Sequence, residues 1–251
     1  MNLQLNNQVA LVTGSSKGIG FGIAQTLHEE GCKVVLNGRD SGVLEEAVSK
    51  LPGAICVAAD VTQPKEAVQL VADVMKQFGR LDALVCNVGS GRSVSPGNEH
   101  LEEWQRVFSV NLWSATNVIE AATEALAASK GAIVCISSIC GQEVVPGAPI
   151  TYSAAKAALN AYVRGISKHL GKRDVRINAI APGNILFDES VWAMKIKEDQ
   201  AAVAEMLARE VALEKLGSPS DIANLTAYLL SPISNFATGA VWTLDGGQVH
   251  T

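Results

Sequence analysis

Seven short, largely apolar, β-branched runs recur along the chain, and they constrain its fold more than any other feature. They occupy residues 9–12, 34–36, 54–57, 83–86, 132–136, 175–180 and 240–244. A strand with one solvated face alternates apolar and polar residues. Continuous hydrophobicity means burial on both faces, which is the condition of a parallel sheet. Helical stretches lie between the runs. In residues 18–30, Ile19, Ile23 and Leu27 form one apolar stripe, and Gly31 follows where a helix needs left-handed backbone. Residues 64–78 open on Pro64 and stop before Gly79, so both ends are punctuated. Residues 152–170 are Ala-rich and free of proline, which favours a helix. Strand–helix alternation repeated seven times predicts an α/β fold: one doubly wound parallel sheet of about seven strands with helices on both faces. No linker, repeat or low-complexity segment divides residues 1–251, which read as a single domain. The least regular piece, 185–216, carries an amphipathic stretch at 200–213 and no strand. It reads as a lid-like segment over a cleft.

Charge and cysteine usage narrow the function classes. Lys and Arg number 20 against 25 Asp and Glu, a net charge of −5, and no basic cluster offers a general nucleic-acid surface. The five cysteines (Cys32, Cys56, Cys86, Cys135, Cys140) have no framework spacing and lie mostly in apolar runs, as reduced core residues do. The first residues lack the basic-then-apolar layout of a signal peptide, and no apolar run reaches membrane-spanning length. A cytoplasmic protein without membrane association is expected. His28, His100, His169 and His250 are scattered without metal-ligand spacing, so no metal is expected.

The first apolar run leads into Thr13-Gly-Ser-Ser-Lys-Gly-Ile-Gly20 and then a helix. Gly14, Gly18 and Gly20 give G-x-x-x-G-x-G, a departure from the common dinucleotide spacing. The physics is the same: glycines permit a tight turn and let backbone N–H groups approach a pyrophosphate at a helix N-terminus. The predicted sheet is therefore Rossmann-like. At the end of the second run, where a carboxylate would hold a ribose 2′-hydroxyl, the chain has Asn37-Gly38-Arg39 and no acid until Asp40. Arg39 can bind a 2′-phosphate, and Lys17 is placed to add a second positive charge. NADP(H) is favoured over NAD(H), which Asp40 keeps open.

Tyr152 and Lys156 are an i, i+4 pair on a predicted helix and share one face. A phenol titrates near 10, and a fixed cation beside it favours the phenolate. Lowering it to near neutrality takes roughly 4 kcal/mol. By itself the pair is a common spacing, and an ordinary helix surface would also produce it.

Together these residues resemble the short-chain dehydrogenase/reductase family over nearly the whole chain, from Val9 to Gly247. Its closest group by motif is the 3-oxoacyl-[acyl-carrier-protein] reductase type. The loop Thr13–Gly20 looks like the family's cofactor loop, Asp60-Val61 like its adenine contact, and Asn87-Val88-Gly89 like its Asn-Ala-Gly turn. Asn111, Ser138, Tyr152 and Lys156 fall on the catalytic positions, Pro182-Gly183 on the nicotinamide-side turn, and Asp245-Gly-Gly247 on the closing motif. The resemblance implies cofactor contacts from Gly14, Ser16, Lys17, Gly18, Ile19, Gly20, Arg39, Asp60, Val61, Asn87, Gly89, Tyr152, Lys156, Pro182, Gly183 and Ile185. It implies hydride transfer between a nicotinamide and a carbonyl carbon. Tyr152 is then the general acid/base, Ser138 holds the oxygen, Lys156 lowers the tyrosine pKa and binds the ribose, and Asn111 holds a water. Ser137 could be confused with Ser138, and Gly141 after the motif favours Ser138. Phe187 stands where the family often has a cofactor-touching threonine.

The substrate is a small carbonyl or alcohol, possibly bound to a carrier protein. Candidate cleft contacts are Arg92, Gln142, Val144, Phe187, Trp192 and Met206. The carrier is read in that family group partly through two arginines. Arg173 falls on one, while Ser129, with Lys130 beside it, falls on the other. Arg92 could instead suit a sugar or other polar ketone. A non-catalytic NADP sensor or scaffold of the same fold is the alternative outside catalysis. The resemblance also implies a homotetramer built through residues 102–127 and 152–170 and the last strand.

Overall fold

The computed structural model describes residues 1–249; His250, one of the four histidines read from the sequence, lies outside the described residues. Seven parallel strands form one sheet in the order β3-β2-β1-β4-β5-β6-β7. They are β1 (Val9–Val12), β2 (Lys33–Gly38), β3 (Ile55–Ala58), β4 (Ala83–Cys86), β5 (Ala132–Ile136), β6 (Arg176–Pro182) and β7 (Val241–Leu244). All seven coincide with the apolar runs. Boundaries move by a residue or two, because pairing extends β2 and β6 into Gly38 and Pro182.

Burial on both faces is visible within single strands. Ala10 and Val12 of β1 join the core on one side with Ile23, Leu27, Leu44 and Ile222. Val9 and Leu11 join the other with Leu70, Val74, Ile119 and Leu159. The central strands β1, β4 and β5 are wholly buried, whereas the edges β3 and β7 are partly exposed. Helices α1 (Gly18–Glu29), α2 (Ser41–Ser49) and α9 (Pro219–Leu230) cover the first face. Helices α3 (Pro64–Phe78), α5 (Ser114–Ser129) and α6 (Ile150–Gly171) cover the second. Gly31 and Gly79 take φ of 85° and 71°, the left-handed backbone their positions after α1 and α3 require. α6 runs unbroken through Gly165, held by the packing of Leu159 and Val163.

Two segments differ from a plain alternation. Residues 101–129 are not one helix: α4 (Leu101–Phe108) passes through a π-helical turn, Ser109–Trp113, before α5. Such widened turns recur at functional sites, and this one contains Asn111. The segment after β6 holds two helices, α7 (Val191–Glu198) and α8 (Gln200–Glu210), so the amphipathic stretch ends three residues sooner than its pattern suggested. Ser190 caps α7 by accepting from Ala193 N at 3.0 Å, and Asp199 caps α8 by accepting from Ala202 N at 2.9 Å. The excursion starts and finishes at one point, where Leu186 N donates to Gly217 O at 2.8 Å and Gly217 N to Asn184 O at 2.9 Å. Among the described residues no helix is long and apolar enough to cross a membrane, and no group of His, Cys, Asp or Glu could hold a metal ion.

Candidate active site

The strand order reverses between β1 and β4, and crossovers leave this point in opposite directions. A crevice must open there at the carboxyl ends of the strands. The cleft has a volume of about 790 Å³. Every residue expected to contact a cofactor lines it, from Gly14 and Arg39 at one end to Tyr152, Lys156, Pro182 and Ile185 at the other.

The glycine loop is shaped by close approach. A Cβ on Gly20 would lie 2.4 Å from Gly14 O and 2.5 Å from Asn87 Nδ2, so no side chain fits. Asn87 Nδ2 donates to Thr13 O and Gly14 O at 3.1 and 2.9 Å, tying the turn after β4 to the loop after β1. The result is a cradle of backbone at the N-terminus of α1, open to an anionic group. Arg39 is exposed at the β2 end of the cleft and has no protein partner among the described residues. Asp40 is committed elsewhere: its Oδ1 caps α2 by accepting from Val43 N at 3.1 Å. Asp60 Oδ1 accepts from Thr62 N at 3.0 Å and Thr62 Oγ1 at 2.8 Å, holding the loop after β3 over the cleft. Asn37 is fully buried, donates to Val57 O and Ala59 O, and leaves Oδ1 without a partner. A backbone cradle, an unpaired guanidinium and an unsatisfied buried acceptor along one cleft fit a dinucleotide carrying negative charge.

Lys17, expected to add a second positive charge, lines the cleft but is not free. It pairs with Glu189 of the loop after β6. Phe187 in the same loop lays its ring on Gly18, where a Cβ would come within 2.8 Å of Cε2.

At the opposite end Ser138, Tyr152 and Lys156 converge. The hydroxyl of Ser138 accepts from Cys140 N at 3.2 Å and, facing the same cleft, opposes the rise of the Tyr152 pKa. Ser137 points away, towards Lys156 O. The turn carrying Ser138 sits directly on α6, because Gly141 approaches the Lys156 backbone too closely for any side chain. Lys156 is only 3% exposed, and its Nζ donates to Ile136 O at 2.8 Å. Nζ lies 5.9 Å from the Tyr152 ring centroid. Gly89 brings Asn111 and Lys156 together: a Cβ there would be 3.0 Å from Asn111 Oδ1 and 3.1 Å from Nζ. Asn111 stands behind the cleft wall. Its Oδ1 accepts from Ser90 N at 2.9 Å and its Nδ2 donates to Ser90 O and Val107 O, so it clamps the loop after β4.

The electrostatics correct one expectation. Lys156 was expected to pull the Tyr152 pKa down. Burial instead pushes the phenol up to about 12, with the Ser138 hydrogen bond opposing that rise. Burial also holds Lys156 down to about 8. Withdrawal from water disfavours both charged forms and is the largest influence on each.

Of the candidate substrate contacts, Phe187 and Trp192 line the cleft. Arg92, Gln142, Val144 and Met206 do not: Val144 is 96% exposed, and Gln142 Oε1 accepts from Thr243 Oγ1 at 3.1 Å. Ser90, Ser190 and Val191 line the wall within segments the sequence placed there, 90–97 and 185–216, whereas Asn37, Thr62 and Arg106 were not singled out as wall residues. Position next to a recognised motif marks Asn37 and Thr62; nothing local marks Arg106. Cys140, read as core filler, places its thiol beside Ser138, and burial raises its pKa.

A family profile described as enoyl-(acyl carrier protein) reductase matches residues 14–249. The chain is 34% identical to the 3-oxoacyl-[acyl-carrier-protein] reductase of Synechocystis sp. over 252 residues, 98% of each chain. The structure of L-sorbose reductase from Gluconobacter frateurii, complexed with NADPH and L-sorbose, matches with a TM-score of 0.93 at 27% identity, each chain covered in full. A 7α-hydroxysteroid dehydrogenase, complexed with NADH and 7-oxo glycochenodeoxycholic acid, matches with a TM-score of 0.89 at 28% identity, covering 100% of this chain and 97% of that one. Of these two structures, one holds NADPH and the other NADH.

Proposed function

Because this chain belongs to the short-chain dehydrogenase/reductase family, we propose that it interconverts a carbonyl and a secondary alcohol using NADP(H). The observation that carries this reading is the convergence of Ser138, Tyr152 and Lys156 at one end of a cleft that begins at the glycine loop and Arg39. The nicotinamide, when bound, supplies or accepts the hydride. The glycine cradle and Arg39 would hold its phosphates, and Lys156 its ribose. Arg39 without a partner, and Asp40 engaged as a helix cap, support NADP(H) over NAD(H).

Ser138 presents its hydroxyl to the reacting oxygen and steadies the charge that develops there. Tyr152 holds a proton on its phenol oxygen. As the phenol it donates to a forming alkoxide in reduction, and as the phenolate it accepts the alcohol proton in oxidation. Lys156 lies close enough to steady the phenolate that is left. The role of Asn111 is to seat the loop at Ser90 and Gly89 beside that ammonium.

A 3-oxoacyl thioester is the substrate suggested by the Synechocystis relative. A free polar ketone such as a keto-sugar is favoured by a different observation. The two cations at the expected carrier positions are already paired: Arg173 donates to Glu124 Oε2 at 2.7 Å and Lys130 lies 3.2 Å from Asp174. Ser129 folds inward onto Leu81 O and Leu126 O. A homotetramer is supported by exposed Trp113 at the start of α5 and by the free outer edge of β7, which carries Trp242; light scattering tests it.

The deciding experiment is NADPH consumption with free and carrier-bound 3-oxoacyl thioesters, 2-enoyl thioesters, keto-sugars and simple ketones. Tyr152→Phe should abolish turnover on the accepted substrate and leave NADPH binding nearly intact. Unchanged turnover would sink the mechanism.

A further inference from the structure

The helix that carries Tyr152 has no side-chain cap of its own. α6 begins at Ile150 behind Pro149, and no side chain accepts from its first N–H groups. A first turn so placed should fray, yet it must hold a proton donor to within a fraction of an ångström. Thr151, one residue before Tyr152, is fully buried. Its Oγ1 lies 2.6 Å from Ser93 Oγ in the loop after β4. Ser93 Oγ in turn donates to Glu103 Oε1 on α4 at 2.7 Å.

The direction of these bonds is determined. A hydroxyl has one hydrogen, and an ionised carboxylate only accepts. Ser93 directs its hydrogen to Glu103, so Thr151 must donate to Ser93. Glu103 is kept ionised by Arg106, whose Nε and Nη2 reach its two oxygens at 2.8 and 2.7 Å. Those bonds hold the carboxyl down to about 2. The same guanidinium lines the cleft and donates from Nη2 to Arg92 O at 2.9 Å. Asn111 clamps Ser90 two residues earlier. The loop 90–93 and the first turn of α6 are thus fastened to one carboxylate on α4.

We propose that Glu103 is a positioning residue: through Ser93 and Thr151 it seats the first turn of α6, and with it the phenol of Tyr152, against the substrate wall. The proposal rests on the reading of Tyr152 as the proton donor. A charged acceptor fixes the order of donors along the chain, so Thr151 and Ser93 cannot exchange roles and the turn has one setting. Arg106 couples the same carboxylate to the Arg92 carbonyl, and the wall and the donor move together.

The test compares Thr151→Val, which keeps shape and removes the donor, with Thr151→Ser, which keeps the donor, and adds Glu103→Gln. The first reading needs no substrate: tyrosinate absorbance of the cofactor-free full chain, taken as a difference against Tyr152→Phe. Burial pushes the wild-type Tyr152 phenol up to about 12, so its titration is expected well above the ordinary value. Thr151→Val and Glu103→Gln should bring that titration towards the ordinary value near 10, as water reaches a loosened turn. Thr151→Ser should leave it in place. The second reading is turnover with NADPH on whichever carbonyl probe the wild type accepts: kcat should fall about tenfold in Thr151→Val with little change in KM, and Thr151→Ser should recover most of it. Wild-type titration and wild-type kcat in Thr151→Val would overturn the proposal. An equal loss in Thr151→Ser would overturn it too, since a volume change and not the donor would then be responsible. If Thr151→Val does not fold, Ser93→Ala is read in the same two ways. A shifted titration in a protein that turns over no carbonyl probe would uphold the positioning role and reject the oxidoreductase reading on which it rests.

Discussion

Glu189, in the loop after β6, forms an ion pair with Lys17 of the glycine loop, and Phe187 of the same loop covers Gly18 beside it. A carboxylate therefore occupies the cation that a cofactor phosphate would meet. Both side chains are exposed, so the pair is weak and readily screened. Glu189→Gln should tighten NADPH by about threefold at low ionic strength. The gain should disappear near ~0.5 M salt, where screening lengths fall to a few ångströms. Fluorescence titration of NADPH measures both. Equal affinities at low salt would show that Lys17 and the phosphates do not meet.

Arg39→Asp should move the ratio of NADPH to NADH affinity towards NADH by about tenfold or more, because a charge-assisted contact becomes a repulsion. Asp40→Asn should leave that ratio alone, since Asp40 caps α2 and does not face a ribose. Isothermal titration of each variant with both cofactors separates the two residues. A ratio that stays put in Arg39→Asp removes the 2′-phosphate assignment.

Lys156 makes stability depend on pH in a defined direction. Its folded pKa is held down to about 8, against 10.5 for an ordinary lysine. Between those values the unfolded chain binds more protons, so this residue's contribution to stability rises as pH rises through the window. Cys32 and Tyr152, each pushed up to about 12, act in the opposite sense at higher pH, so the wild-type curve alone does not isolate the effect. The difference between wild type and Lys156→Met does. Urea unfolding of the cofactor-free protein at about pH 7.5, 9 and 10.5 should show that difference growing with pH. A constant difference would mean that Nζ is not desolvated.

Two glycines near α6 should respond with opposite signs to alanine. At Gly141 a Cβ would lie 2.6 Å from Lys156 C and 2.8 Å from Ala157 N, both backbone atoms that cannot step aside. Gly141→Ala should cost about 1–3 kcal/mol and displace Ser138 from Tyr152. At Gly165 nothing lies within 4 Å of the new methyl, and the site is within a helix. Gly165→Ala should stabilise by up to about 1 kcal/mol. Thermal or urea denaturation reads both, and destabilisation at Gly165 would contradict the space around it.

Strands, helices and both ends of the cleft were legible because their signals are local. Val9–Val12 declares a doubly buried strand by its own composition, and Tyr152 and Lys156 share a face by their spacing alone. Gly14, Gly18 and Gly20 mark a backbone turn wherever the loop finally sits. α7 was not legible, since its helix depends on the Ser190 cap and on the closure of residues 185 and 217. Arg106 escaped notice for a similar reason: what brings it to the cleft is its pairing with Glu103 and the Arg92 carbonyl.

The sequence by itself determined the class of fold, the order of the cleft's parts and the identity of the groups at each end. Periodicity, glycine punctuation and short spacings specify those without reference to distant residues. Only the tertiary structure decided the state of those groups. The Tyr152 phenol is raised and not lowered, because desolvation depends on everything packed around it. Lys17 is paired with a carboxylate 172 residues away, and Thr151 reaches Glu103 through a serine 58 residues before it. Charge state and hydrogen-bond direction belong to the assembled neighbourhood, and no stretch of chain contains that neighbourhood.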